Sequence, residues 1–126
     1  MRITALAKST YADASAPTRT ERTTEYQAFA QVTHRLSVAD TGAPEQFPEL
    51  VGAIHDNRRL WNILAIDVAK PDNPLPAELR ARIFYLAEFT ELHSIKVLAR
   101  EQDTSALVDI NTAIMRGLRS SPEVSV

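Results

Sequence analysis

Three histidines, His34, His55 and His93, are the side chains of this chain most suited to proton transfer or metal ligation. None shows the i, i+4 spacing that sets two imidazoles of an HExxH helix on one metal. His93 falls on the apolar stripe of its predicted helix, where a lone imidazole reads as a satisfied core residue rather than a ligand. His34 and His55 read as surface or boundary positions. His55 and Asp56 are neighbours in sequence, but adjacent helical residues do not face each other, so no acid–base pair follows from them. No serine sits in a nucleophile-elbow context, and the carboxylates are scattered. With every site template missing, the expectation is a protein that is not an enzyme and that uses no metal and no cofactor.

The densest polar–aromatic cluster is Asn57-Arg58-Arg59-Leu60-Trp61. Arg58 and Trp61 lie three apart on one helical face, and Arg and Trp dominate binding hot spots. The alternative is that Trp61 anchors the core while the arginines reach past it to water. The chemistry alone favours that second reading. Asn57 interrupts an apolar stripe, and a buried amide without partners costs about 1–3 kcal/mol. It therefore either sets helix register or holds a partner's backbone. Asn111 poses the same question on the last helix. Asp67, after Ile63-Leu64-Ala65-Ile66, reads as a cap for the following loop or as an arginine partner.

The elements that must carry these residues are helices. A chain of 126 residues supports one domain with one modest core. Lys plus Arg is 14 and Asp plus Glu is 16, a net charge of −2 that argues against a purely electrostatic binder of nucleic acid or membrane. The absence of cysteine removes disulfides, thiolate metal sites and thiol nucleophiles. Only 3 glycines leave no phosphate-cradling loop and make a turn-rich β protein a poor fit. No segment approaches the roughly 20 apolar residues that span a bilayer, and no apolar run follows Arg2 and Lys8 as it would in a signal peptide. A soluble, cytoplasmic protein is expected.

Periodicity predicts four main helices. The first runs from about Thr20 to Ala39, with Tyr26, Phe29, Ala30, Thr33 and Leu36 at helical spacing. Gly42 and Pro44 stop it. The second runs from about Glu45 to Ala69, with Phe47, Leu50, Val51, Ile54, Trp61, Leu64, Ala65 and Val68 on one stripe. The third starts with Pro76 at its first position and runs to about Glu101. Its inner stripe is Leu79, Ile83, Leu86, Phe89 or Thr90, His93 and Val97; Phe84, Tyr85, Leu92, Ile95 and Leu98 widen it beyond one face. A helix this apolar sits centrally or offers a second face to something else. The fourth runs from Asp103 or Thr104 to Leu118. Residues 1–19 read as a mobile arm, with room for a short helix over 3–14, residues 20–118 as the bundle domain, and residues 119–126 as a flexible tail. Short loops between long amphipathic helices imply antiparallel neighbours. The fold class is all-α, a small single-domain antiparallel bundle.

An ordered set of fragments adds a family. Glu25-Tyr26-Gln27-Ala28-Phe29, Val32-Thr33 and Leu36 open it. Asn57-Arg58-Arg59-Leu60-Trp61, Leu64-Ala65 and Asp67 follow, then Pro71, Asn73, Leu75-Pro76 and Leu79-Arg80-Ala81. Asp109-Ile110-Asn111 and Ile114-Met115-Arg116-Gly117-Leu118 close it, and Tyr11 meets the family's tendency to a tyrosine near the start. Over roughly residues 11–118 the chain resembles the bacterial flagellar biosynthesis regulator family FlaF. That resemblance implies a non-enzymatic cytoplasmic accessory of flagellum assembly. It implies two partners, flagellin and the FlbT-type repressor that acts on flagellin mRNA. FlaF-type proteins oppose that repressor and support flagellin synthesis and export.

Three functional readings follow from that resemblance. In the first, the chain is a flagellin chaperone that holds the apolar, helix-forming termini of the unpolymerised subunit in a groove between helices. Tyr26, Phe29, Asn57, Arg58, Trp61, Phe84 and Tyr85 are the expected binding residues. In the second, it is an adaptor that binds the repressor without holding flagellin. In the third, it binds the transcript directly through Arg80, Arg82 and Arg100. Charge and the lack of an RNP-like motif argue against that. The extra apolar residues of the third helix also leave a homodimer seam open.

Overall fold

Apolar residues recurring every three or four positions become four α-helices in the computed structural model, which describes the backbone of residues 16–125 and the side chains of residues 24–117. Helix α1 is Ala16–Ala39, α2 is Phe47–Ala69, α3 is Ala77–Leu98 and α4 is Ser105–Ser125. A 3₁₀ turn, Pro44–Gln46, leads into α2. No strand occurs among the described residues, and the chain is an all-α bundle. The helix considered over 3–14 and Tyr11 lie outside the described residues, as does most of the arm read over 1–19.

The ends of the helices differ from the sequence expectation for local reasons. Helix α1 starts at Ala16, ahead of Thr20. Pro17 then lies in the first turn, where its missing N–H leaves nothing unpaired. Helix α2 starts at Phe47 rather than Glu45, with Pro48 in its first turn. Pro76 is not the first residue of α3 but its N-cap, in extended conformation with φ −57° and ψ 147°. Helix α3 stops at Leu98, short of Glu101: the Arg100 and Glu101 N–H groups donate back to Val97 and Lys96 carbonyls at 3.0 and 2.9 Å. That pair of bonds is a Schellman closure. Its left-handed residue is Arg100, at φ 65°, where glycine is usual. Helix α4 continues past Leu118 to Ser125.

Loops are closed by side chains. Gly42, at φ 80°, turns the α1–α2 connection. Asn73 Nδ2 donates to the Asp67 carbonyl (3.0 Å) and carboxylate (3.2 Å), and Asn73 Oδ1 accepts from Leu75 N–H at 3.0 Å. Asp67 therefore caps its loop, the first of its two expected roles. At the α3–α4 corner, Asp40 from the end of α1 accepts Thr104 N–H at 2.9 Å. Asp103 Oδ1 accepts Ser105 N–H at 3.0 Å and Ser105 Oγ–H at 2.7 Å, an Asx turn at the start of α4.

Helix α1 packs against α2 and α4, and α2 packs against α3, while α3 and α4 meet only sparsely. Pairings across the helices run in opposite directions. Phe29 meets Trp61 and Arg35 meets Asp56, while Thr33 and Leu36 on α1 meet Asn111 and Thr104 on the α4 side. The bundle is antiparallel, as the short loops required. Leu36, Leu50, Ile54, Trp61, Val97 and Leu107 are fully buried at its centre. Gly52 sits beneath the Arg35 side chain: a Cβ there would lie 3.3 Å from Nη2, so glycine leaves room for Arg35 to reach Asp56.

Candidate interaction face

The polar residues of the central stripe are built into the core. Trp61 is 1 % exposed. Its ring meets Phe29 edge to face, with centroids 5.8 Å apart, and its Nε1–H donates to Asn111 Oδ1 at 2.9 Å. Asn111 Nδ2 in turn donates to Asn57 Oδ1 at 2.8 Å and to Thr33 Oγ1 at 3.1 Å. The Thr33 hydroxyl donates to the Phe29 carbonyl at 2.6 Å. Asn57 and Asn111, read separately from the sequence, are therefore joined: Asn111 supplies the donor to Asn57 Oδ1, while the buried Asn57 Nδ2 has no partner among the described residues, and the network ties α1, α2 and α4 in one register.

This placement corrects the expected binding set. Phe29, Asn57 and Trp61 are buried and present nothing to a partner. Tyr26 is half-buried on α1. Arg58 shares no accessible surface with Trp61; it crosses to α3, where its guanidinium makes a two-pronged bond to Glu91, Nε to Oε1 at 3.0 Å and Nη2 to Oε2. That hydrogen bonding, helped by the negative charge of Glu91 and opposed by partial burial, raises the Arg58 pKa above its ordinary value. Arg58 is a clasp between α2 and α3. Only Phe84 and Tyr85, both on α3, are exposed as a binding role requires.

The buried side of α3 takes Ile83, Thr90 and Val97 from the predicted stripe and adds Ser94, while Leu79 lies at the surface. His93 is a boundary residue instead of a core one. It stacks on Phe89 at 5.3 Å, and its Nε2 lies 3.2 Å from the Asp103 carbonyl. A carbonyl only accepts, so in this contact Nε2 carries the proton. Periodicity placed that side, and Ser94, a small hydroxyl residue, is the inward position it did not mark.

Opposite that buried side, Phe84, Tyr85, Leu92 and Ile95 are 44, 64, 63 and 51 % exposed. At 3.6 residues per turn they share an arc of about 100°. Exposed apolar side chains aligned along one face of a helix make that face the candidate interaction surface. Leu92 and Ile95 were legible as a widening of the stripe, though not as binding residues. The basic strip read from Arg80, Arg82 and Arg100 is dispersed. Arg80 Nη1 reaches the Lys70 carbonyl at 3.5 Å, Arg82 lies 3.8 Å from Glu78, and Arg100 stacks 4.3 Å over the Phe47 ring. A shallow, open cleft of about 410 Å³ lies at the α3–α4 corner beside Asp40, Leu50, Arg100 and Asp103. No described cluster of His, Asp and Glu is arranged to hold a metal ion, and no described helix is long and apolar enough to cross a membrane.

The family model of flagellar protein FlaF matches residues 7–118, most of the chain. The chain belongs to the FlaF family. No curated protein and no solved structure matches it. For a FlaF chain the Asn57-to-Trp61 fragment, prominent in the sequence, holds the bundle together. The family points to partners related to the flagellum, and α3 carries an exposed apolar face.

Proposed function

We propose that this FlaF-family chain is a non-enzymatic, cytoplasmic flagellin chaperone. It binds unpolymerised flagellin, supports flagellin synthesis and export, and thereby opposes a FlbT-type repressor of flagellin mRNA. The observation that carries this reading is the exposed apolar face of α3, on the side away from the core. A subunit waiting for export exposes apolar helices, and such a helix lays its apolar side along a matching apolar surface. The family supplies the flagellar context.

Calorimetric titration with monomeric flagellin tests the proposal. Intact flagellin is expected to bind, and flagellin lacking its terminal helices is not. Tyr85→Asp and Leu92→Asp, each a charge set on the exposed face, are expected to weaken binding at least tenfold, the usual loss when a central apolar contact is removed. Absence of binding to intact flagellin would overturn the chaperone reading in favour of an adaptor for the repressor.

A further inference from the structure

The exposed face of α3 has a second regularity. Ala81, Tyr85, Glu88, Leu92, Ile95 and Ala99 are all exposed and follow one another at intervals of four, three, four, three and four residues. This is the spacing of a coiled-coil seam, alternating a and d positions along about 27 Å of helix axis. One seam position is charged. Glu88 makes no ion pair and no hydrogen bond among the described residues. Its neighbour Glu91 is held by Arg58, and Arg82 lies beside Glu78. Lys96, on the flank of the seam, has no described ion-pair partner.

We infer that this seam takes a single amphipathic helix that carries a lysine or arginine within its own apolar stripe, opposite Glu88. A polar residue at one seam position selects the partner and its register, because any helix placing an apolar or acidic residue there leaves a carboxylate buried and unpaired. The same rule disfavours a second copy of this chain. Antiparallel self-pairing about the middle of the seam brings two Glu88 carboxylates into one apolar interface, and parallel pairing sets them side by side. Lys96 adds a flank preference for an acidic residue on the incoming helix. The inference rests on the reading of the α3 face as the client surface, and it names the chemistry of the client.

The test uses the full chain and two labelled synthetic helices of about three heptads, the length of the seam. Both carry leucine at a and d except at one central position, lysine in one peptide and glutamate in the other. Fluorescence anisotropy is expected to show the lysine peptide binding at least tenfold more tightly than the glutamate peptide, and Glu88→Lys is expected to invert the order. Circular dichroism confirms that Glu88→Lys keeps its helices, as an exposed site predicts. Equal binding of the two peptides, no binding of either, or an order unchanged by Glu88→Lys overturns the inference. A wild-type dimer by light scattering that Leu92→Asp dissolves overturns it in favour of a second copy. Flagellin is titrated separately. If the lysine peptide binds and flagellin does not, the chaperone reading fails and the seam stands. If flagellin binds Leu92→Asp as well as wild type, the seam is not the client site.

Discussion

Asn111 Oδ1 accepts the Trp61 indole N–H at 2.9 Å, in the middle of a bundle core where both residues are fully buried. The same Asn111 side chain donates both of its amide hydrogens, to Asn57 and to Thr33. One amide thus joins three helices and has a partner at each of its hydrogen-bonding atoms.

Asn111→Ala strands the Trp61 N–H, the Asn57 oxygen and a cavity together. A loss of about 3 kcal/mol is expected, measured by urea unfolding. Asn111→Asp is the sharper variant. An ionised carboxylate keeps the Trp61 contact but cannot donate to Asn57 or Thr33, and burial raises its folded pKa above the unfolded value of about 3.9. The stability of that variant is expected to be highest below the unfolded pKa and to fall as pH rises through and beyond it. An Asn111→Asp variant with a flat profile from about pH 3 to 7 would contradict a buried amide in this role.

Thr90 Oγ1 and Ser94 Oγ are buried on α3 without a hydrogen-bond partner among the described residues. Removing an unpaired buried hydroxyl costs little, and alanine favours the helix. Ser94→Ala is expected to leave the protein as stable or raise stability by up to about 1 kcal/mol, and Thr90→Val to behave similarly. A loss above about 1 kcal/mol in either would show that the hydroxyls are paired in solution.

The start of α4 depends on two aspartates from different places. Asp40→Ala removes the acceptor for Thr104 N–H at a helix N-terminus and is expected to cost about 1–2 kcal/mol. Asp103 is fully solvated, and its pKa is lowered chiefly by the Ser105 hydroxyl and then by the Ser105 N–H. A depressed carboxylate stabilises the fold above its unfolded pKa and loses that contribution as pH falls through the lower, folded value. Asp103→Asn is expected to flatten the acid limb of a urea-midpoint titration below about pH 4.

Arg100 combines a left-handed backbone with a cation stacked on Phe47. Arg100→Ala keeps the backbone penalty and loses the stacking, worth about 0.5–1 kcal/mol at an exposed site. Arg100→Gly loses the same stacking but relieves a left-handed penalty of about 1–2 kcal/mol. Glycine is therefore expected to be the more stable of the two, by about 1 kcal/mol in thermal unfolding. Both variants lose the stacking, so the reverse order would mean that the left-handed backbone at Arg100 carries no such penalty.

The sequence by itself determined the helices, the loops and the bundle. Those follow from short-range rules: apolar spacing, proline at helix starts, Gly42 at a turn, and the Asp67–Asn73 loop. It also singled out Asn57, Asn111 and Trp61 as residues needing an explanation, and its ordered fragments pointed to the FlaF family. On α3 the periodicity chose the inward side, and only the tertiary structure decided the burial of Ser94 and the exposure of Leu79. Apolar spacing marks neither, because both depend on how closely α2 approaches. The same holds for Arg58, whose partner lies 33 residues away, and for Thr104, paired with an aspartate 64 residues back. Pairing across such separations depends on the relative placement of whole helices, which no local pattern encodes. The Asn57-to-Trp61 cluster, whose chemistry favoured Trp61 as a core anchor although its residues were also expected to bind a partner, is a core junction, and the outward face of α3 carries exposed apolar side chains.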